Sequence, residues 1–233
     1  MLGPFDYAIW ILGFLVQIGV VVCVVYRKDV LRYLPLTIYM LCAALVNCGE
    51  YFCVERFGFT SSQYFYYYYY TESLLTILLF WTIIRFYQQT FLEMSVGAYI
   101  RGGAVLLLLA TAVFSYIVVH ENRNHLSTRF VVELGQNLHF VGVVLTYLLW
   151  GAILKLRETR TRLIQLVLAL GVYFSATACT YALRNLFPSL QPSVLRWVPP
   201  IMGVWLPIAW AYTFAKVSEE ARLATARLVV RTR

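Results

Sequence analysis

Residues 7–25 read YAIWILGFLVQIGVVVCVV, a run without a single charged side chain. A helix of about 20 apolar residues crosses a hydrocarbon core of roughly 30 Å, so this run predicts a membrane-spanning helix. Similar runs fill nearly all of the 233-residue chain and predict further spans at 34–54, 64–87, 102–119, 130–154, 163–183 and 197–215. We therefore expect an all-α, polytopic membrane protein with seven transmembrane helices in one domain.

The overall composition supports this fold class. Hydrophobic residues make up 61% of the chain, charged residues only 13%, and the mean hydropathy is +0.71. A water-soluble domain of this size could not bury so much apolar surface, whereas a lipid bilayer solvates it directly.

The positions of the basic residues predict the orientation, because Lys and Arg collect in the short loops on the cytoplasmic side. If the N-terminus lies outside and the C-terminus in the cytoplasm, all but five of the 19 basic residues fall on inner segments; the five are Arg56, Arg123, Arg129, Arg184 and Arg196. The net charge of +8 then reflects contact with anionic lipid headgroups and not with nucleic acid. Residues 217–233, in which apolar residues alternate with arginines, are expected to form a cytoplasmic amphipathic tail.

Ionisable side chains inside the predicted spans mark candidate sites for a ligand or a proton, because burying them in lipid is costly. Glu50, Glu72 and Glu133 lie at similar depths in the outer halves of three spans, so we expect them to share one cavity, with His139 deeper. Polar neighbours and a possible counter-charge complete the candidate set: Asn47, Asn137 and Arg184. The same residues could instead form hydrogen-bonded contacts between helices. No metal site is predicted, since the Glu-x-x-His spacing of carboxylate-bridged centres is absent.

The sequence YFYYYYY at 64–70 is the most unusual local run. Tyrosine is favoured at the boundary between water and lipid, so Tyr66, Tyr67, Tyr69 and Tyr70 could form an aromatic belt. Consecutive residues surround a helix, however, so some of these rings must face other helices, and an aromatic pocket is the alternative.

The block Tyr66-Tyr-Tyr-Tyr-Tyr-Thr-Glu72-Ser-Leu-Leu, continuing to Phe80-Trp-Thr-Ile-Ile-Arg85-Phe-Tyr87, resembles a group of uncharacterised seven-helix integral membrane proteins found mainly in acidobacteria. The resemblance implies a multi-pass protein of the bacterial inner membrane. That group brings no known activity, so the resemblance carries no residue role.

No arrangement of catalytic residues is evident, and we do not expect an enzyme. The three lysines, Lys28, Lys155 and Lys216, all lie outside the middle of the predicted spans, which argues against a retinal-binding rhodopsin. The interpretation we favour is an accessory or scaffold subunit of a larger membrane assembly, with membrane proteins or a second copy as partners. A sensor that binds a small molecule, lipid or pigment is one alternative, and a small proton-coupled transporter using the Glu cluster is another. The residues identify no cofactor.

Overall fold

A computed structural model describes residues 4–58, 60–91, 97–120, 126–155, 160–187, 193–218 and 221. Within these ranges the chain forms seven α-helices: α1 (Pro4–Tyr26), α2 (Leu34–Phe57), α3 (Ser62–Thr90), α4 (Gly97–His120), α5 (Leu126–Lys155), α6 (Thr161–Leu186) and α7 (Ser193–Lys216). Each predicted span lies inside one of these helices, and the all-helical fold class is confirmed. The predicted amphipathic tail at 217–233 lies almost entirely outside the described residues.

Local chemistry explains where α2 begins and ends and where α3 begins. Pro35 stands in the first turn of α2, where a missing N–H leaves no helical hydrogen bond unmade. Gly58 ends this helix with a φ of 77°, a left-handed conformation that glycine adopts without a Cβ clash. Ser61 then caps α3, because its side-chain oxygen accepts a hydrogen bond from the backbone N–H of Tyr64 at 3.1 Å. Four residues separate the two helices, which pack against each other.

Six of the helices form a closed ring, in the order α1, α2, α3, α5, α6, α7 and back to α1. The fourth helix, α4, lies outside this ring and packs mainly against α5, with a smaller contact to α3. Its outward surface is apolar and exposed at Val105, Leu106, Leu109 and Val113. The ring leaves an interior that side chains from six helices can fill or leave open.

The hydrophobic core fills the half of the ring nearest the turn between α1 and α2. Large buried side chains at this end include Tyr33, Phe86, Trp210 and Phe214. The indole N–H of Trp210 donates a hydrogen bond to the carbonyl oxygen of Leu166 at 3.2 Å, which satisfies its polar atom inside the core. This end is packed with large side chains, whereas the opposite half of the ring holds open space.

Within the described ranges, five helices are long and apolar enough to cross a membrane: α1, α2, α5, α6 and α7. The tyrosine-rich α3 does not reach that degree of apolarity, and the described apolar stretch of α4, Val105–Ile117, is shorter. Large apolar side chains also cover the outside of the ring, for example Leu15, Leu148 and Leu168, each more than half exposed. An apolar exterior of this kind fits a protein surrounded by lipid.

Candidate functional site

A cavity of about 520 Å³ occupies the open half of the ring. Its walls come from α1, α2, α3, α6 and α7, near the end of the bundle where α2 ends and α3 begins. This volume falls within the range of roughly 300–1,000 Å³ that is usual for small-molecule sites in proteins. We call this space the ring cavity.

Two carboxylates line the ring cavity, Glu50 from α2 and Glu72 from α3. They lie close enough for their charges to act on each other. The side chain of Glu72 is 29% exposed, and the residue lines the cavity. Both carboxylates are thus available to a molecule inside the ring.

An amide pair continues the polar lining. Asn47, one helical turn before Glu50, donates a hydrogen bond from Nδ2 to Oε1 of Gln17 on α1 at 2.8 Å. Both amides line the ring cavity. The bond joins α1 to α2 and fixes the amide orientations, so the remaining donor and acceptor sites of these two side chains are presented in set positions.

Behind Glu72 lies His139 of α5, whose side chain is completely buried. Its Nδ1 is 2.8 Å from the carbonyl oxygen of Gly135, one turn earlier in the same helix. Its Nε2 lies 4.0 Å from Oε1 of Glu72 and has no hydrogen-bond partner among the described residues. A shift of about 1 Å would bring the two atoms within hydrogen-bond distance. The pair can therefore hold one proton between a carboxyl group and an imidazole.

Aromatic rings hold the imidazole in place. The centroid of the His139 ring is 5.4 Å from that of Tyr181, 5.8 Å from that of Phe174 and 6.2 Å from that of Tyr173, all on α6. Phe174 can approach α5 closely because Gly142 presents no side chain to it: a Cβ there would lie 2.6 Å from the ring. The deep end of the site is therefore rigidly packed.

Two tyrosines of the run at 64–70, spaced four residues apart, contribute to the wall of the ring cavity. Tyr64 and Tyr68 line it, and Glu72 follows four residues later on the same face of α3. Rings from other helices complete the aromatic walls: Trp10 from α1, Tyr39 from α2, Tyr173 from α6 and Trp197 from α7. The cavity thus combines a small acidic and amide surface with broad aromatic walls.

The tyrosines that the sequence singled out lie elsewhere. Tyr66 and Tyr70 are nearly half exposed on the outer surface of α3, a position that suits a belt. Tyr67 faces α2, where its hydroxyl donates to the carbonyl oxygen of Val46 at 3.2 Å. Tyr69 packs its ring against that of Phe65, with centroids 4.4 Å apart. None of these four is among the described residues that line the ring cavity.

Of the three glutamates expected to share one cavity, Glu50 and Glu72 line the ring cavity, whereas Glu133 is not among its described lining residues. Glu133 and His139 are six positions apart in the sequence, which places the two about 120° apart around α5. On that other side of the helix, Asn137 donates a hydrogen bond to the hydroxyl oxygen of Ser115 on α4 at 3.0 Å. Depth counted along the sequence does not decide which residues meet, because the direction around the α5 axis separates Glu133 and Asn137 from His139.

Arg184 is exposed near the end of α6 and is not among the cavity-lining residues that the structure describes. Its charge acts on the hydroxyl of Tyr181, the neighbour of His139. The site therefore keeps Asn47, Glu50, Glu72 and, behind them, His139 from the predicted set.

The sequence analysis did not identify Gln17 or the aromatic residues of the cavity walls. Gln17 could have been found, because it is the one amide in the otherwise apolar stretch 7–25. Tyr173 and Trp197 offered no such signal, since single aromatic residues are common in membrane helices.

A second cavity of about 440 Å³ lies between α5 and α6, lined mainly by apolar residues such as Trp150 and Leu168. Two of its lining residues, Tyr147 and Ser175, form a hydrogen bond of 3.3 Å between their hydroxyls. Without an acidic or basic side chain among its described lining residues, it offers less specific chemistry than the ring cavity. Among the described side chains, no three His, Cys, Asp or Glu residues come together as a metal site would require.

Comparison of the chain with known protein families, with curated proteins and with solved structures found no match.

Proposed function

We propose that this chain is a multi-pass protein of the bacterial inner membrane that binds a small molecule in the ring cavity. The observation that carries the proposal is the cavity itself: two carboxylates, an amide pair and aromatic walls line a space of about 520 Å³. Sites for small molecules are typically concave and largely apolar, with a few polar groups that orient the ligand. This function is the sensor or binding-protein alternative from the sequence.

The proposal includes seven membrane spans, with the N-terminus outside and the C-terminus in the cytoplasm. The 29 residues of α3 and the 24 of α4 measure about 44 and 36 Å at 1.5 Å per residue, enough for a bilayer core of roughly 30 Å. The third helix also stands in the ring between two helices that are apolar enough to cross a membrane. In this orientation the ring cavity belongs to the outer half of the membrane.

The test fills the cavity and leaves the fold intact. Gly203 of α7 lines the ring cavity, and a Cβ built on it meets no atom within 4 Å, so Gly203→Phe should place a ring in the open space. Gly151 of α5 is equally unobstructed but is not among the described cavity-lining residues, so Gly151→Phe is the matched control. The assay screens a panel of cationic, neutral and anionic small amphiphiles for stabilisation of the purified protein against heat.

We expect at least one compound to stabilise the wild type and the Gly151→Phe variant but not the Gly203→Phe variant. Ligand that binds only the folded state raises stability by about 2.7 kcal/mol at a concentration one hundred times the Kd. A panel that stabilises none of the three proteins, or all three equally, would contradict binding in the ring cavity.

Proton-coupled transport is a second candidate, favoured by the contact between Glu72 and His139. A carboxyl and an imidazole that share a proton beside a ligand cavity are the parts from which a carrier couples the movement of substrate and proton. The accessory-subunit function stays a prediction, and the exposed apolar surface of α4 is where a partner helix would pack.

A further inference from the structure

The charge of the ring cavity points to the class of molecule that it takes. Its described lining residues include two carboxylates, Glu50 and Glu72, and no lysine or arginine. Carboxylates removed from bulk water need a compensating proton or cation, because an uncompensated buried charge is strongly unfavourable. Since the cavity walls supply no permanent positive charge among these residues, the compensation must come from a proton or from the occupant.

The hydroxyl and amide groups near the carboxylates do not remove this requirement. The hydroxyl of Thr76, on the wall below Glu72, donates its hydrogen to the backbone carbonyl of Glu72 at 2.8 Å. Asn47 uses one amide hydrogen on Gln17. Behind Glu72, the neighbour is the imidazole of His139, whose Nε2 is buried without a hydrogen-bond partner among the described residues. These polar groups therefore do not neutralise the negative charge of the two carboxylates.

The aromatic walls of the ring cavity can also attract a cation. Faces of tryptophan and tyrosine rings attract an ammonium group through their negative π surface, and the attraction grows when water is excluded. Trp10, Tyr68, Tyr173 and Trp197 bring such rings to the ring cavity from four different helices. Rings that surround a site with carboxylates at one side are the arrangement by which proteins recognise alkylated ammonium groups.

We infer that the occupant of the ring cavity is an organic cation, a protonated or quaternary amine whose ammonium lies beside Glu50 and Glu72 and whose apolar groups contact the aromatic walls. This inference rests on the proposed function and specifies its ligand class. A bare inorganic cation would need several oxygen ligands at short distance, whereas an alkylammonium is bound by charge and ring faces together.

The test compares two probes of equal shape that differ in charge: benzyltrimethylammonium and its uncharged carbon analogue neopentylbenzene. Binding is followed by the tryptophan fluorescence of the whole protein in lipid nanodiscs, with empty nanodiscs as the reference for partition into lipid. The variant is Glu50→Gln with Glu72→Gln, which keeps the shape of both side chains and removes both charges. The matched control is Glu133→Gln, which removes a carboxylate outside the described lining of the cavity.

We expect the wild type and the Glu133→Gln variant to bind the cation at least about tenfold more tightly than the neutral analogue. This preference should disappear in the double variant, and each single substitution should reduce it if the double variant does not fold. Equal binding of both probes by the wild type, or an unchanged preference in the double variant, would overturn the cation assignment and leave the proposed binding function standing. If no probe and no panel compound binds the wild type, both proposals fail.

Discussion

Replacing Arg162 with methionine should destabilise the fold strongly, because this guanidinium joins three parts of the chain at the packed end of the bundle. Arg162 is only 2% exposed, although it carries a full charge. It forms an ion pair with Asp29 in the turn between α1 and α2. It also donates from Nε and Nη2 to the carbonyl oxygen of Val217 after α7, at 3.0 and 2.7 Å. Its guanidinium further lies over the ring of Phe214, 5.4 Å from the centroid.

The expected loss follows from what methionine leaves behind. Removing one partner of a buried ion pair typically costs 3–5 kcal/mol, because the other charge stays buried without compensation. Asp29 keeps 19% of its side chain exposed and can regain some water, so the Arg162→Met substitution should lower the unfolding free energy by about 3 kcal/mol. Reversible unfolding in mixed detergent micelles, followed by circular dichroism, measures this change.

Arg27 provides the matched control at the same end of the bundle. It is exposed and donates one hydrogen bond to the carbonyl oxygen of Ala215 at 2.7 Å, so Arg27→Met should cost less than about 1 kcal/mol. A double-mutant cycle of Asp29→Asn with Arg162→Met should show a coupling of about 1–3 kcal/mol. If Arg162→Met costs no more than Arg27→Met, the guanidinium does not hold these segments together and the reasoning is refuted.

Three further predictions concern topology, packing and the site. Reporter fusions should place the segment 155–162 and the C-terminus in the cytoplasm, and a C-terminus found outside would contradict the orientation. In thermal unfolding, Gly142→Ala should destabilise by about 1–3 kcal/mol, because its Cβ would enter a buried ring, whereas Gly151→Ala should be neutral or mildly stabilising. Glu72→Gln should fold but lose ligand-dependent stabilisation, whereas Glu133→Gln should retain it; equal behaviour of the two variants would remove Glu72 from the site.

Much of the helical fold could be predicted from the sequence, because each long apolar run indicates one helix of similar position and length. The position of α4 outside the ring was not readable. Its apolar residues suit contact with lipid as well as contact with protein, so composition does not decide which side faces a neighbour. The order of helices in the ring depends on pairwise contacts that a single sequence does not display.

The site was partly predictable for a related reason. Counting residues along a span gives the depth of Glu50, Glu72 and Glu133, and all three depths are similar. The direction around the helix decides which of them face the cavity, and it depends on where the neighbouring helices pack. The same limit applies to the tyrosine run, in which Tyr64 and Tyr68 face the cavity but Tyr66 faces outward.

The most direct test of the central claim is native mass spectrometry of the protein released from mild detergent, comparing the wild type with Gly203→Phe and Gly151→Phe. If the ring cavity binds a small molecule, the wild type and the Gly151→Phe variant should carry a bound species in one-to-one ratio. The Gly203→Phe variant, whose added ring fills the cavity, should lack it. A bound species that persists unchanged in Gly203→Phe, or its absence from all three proteins even after incubation with the amphiphile panel, would contradict the account.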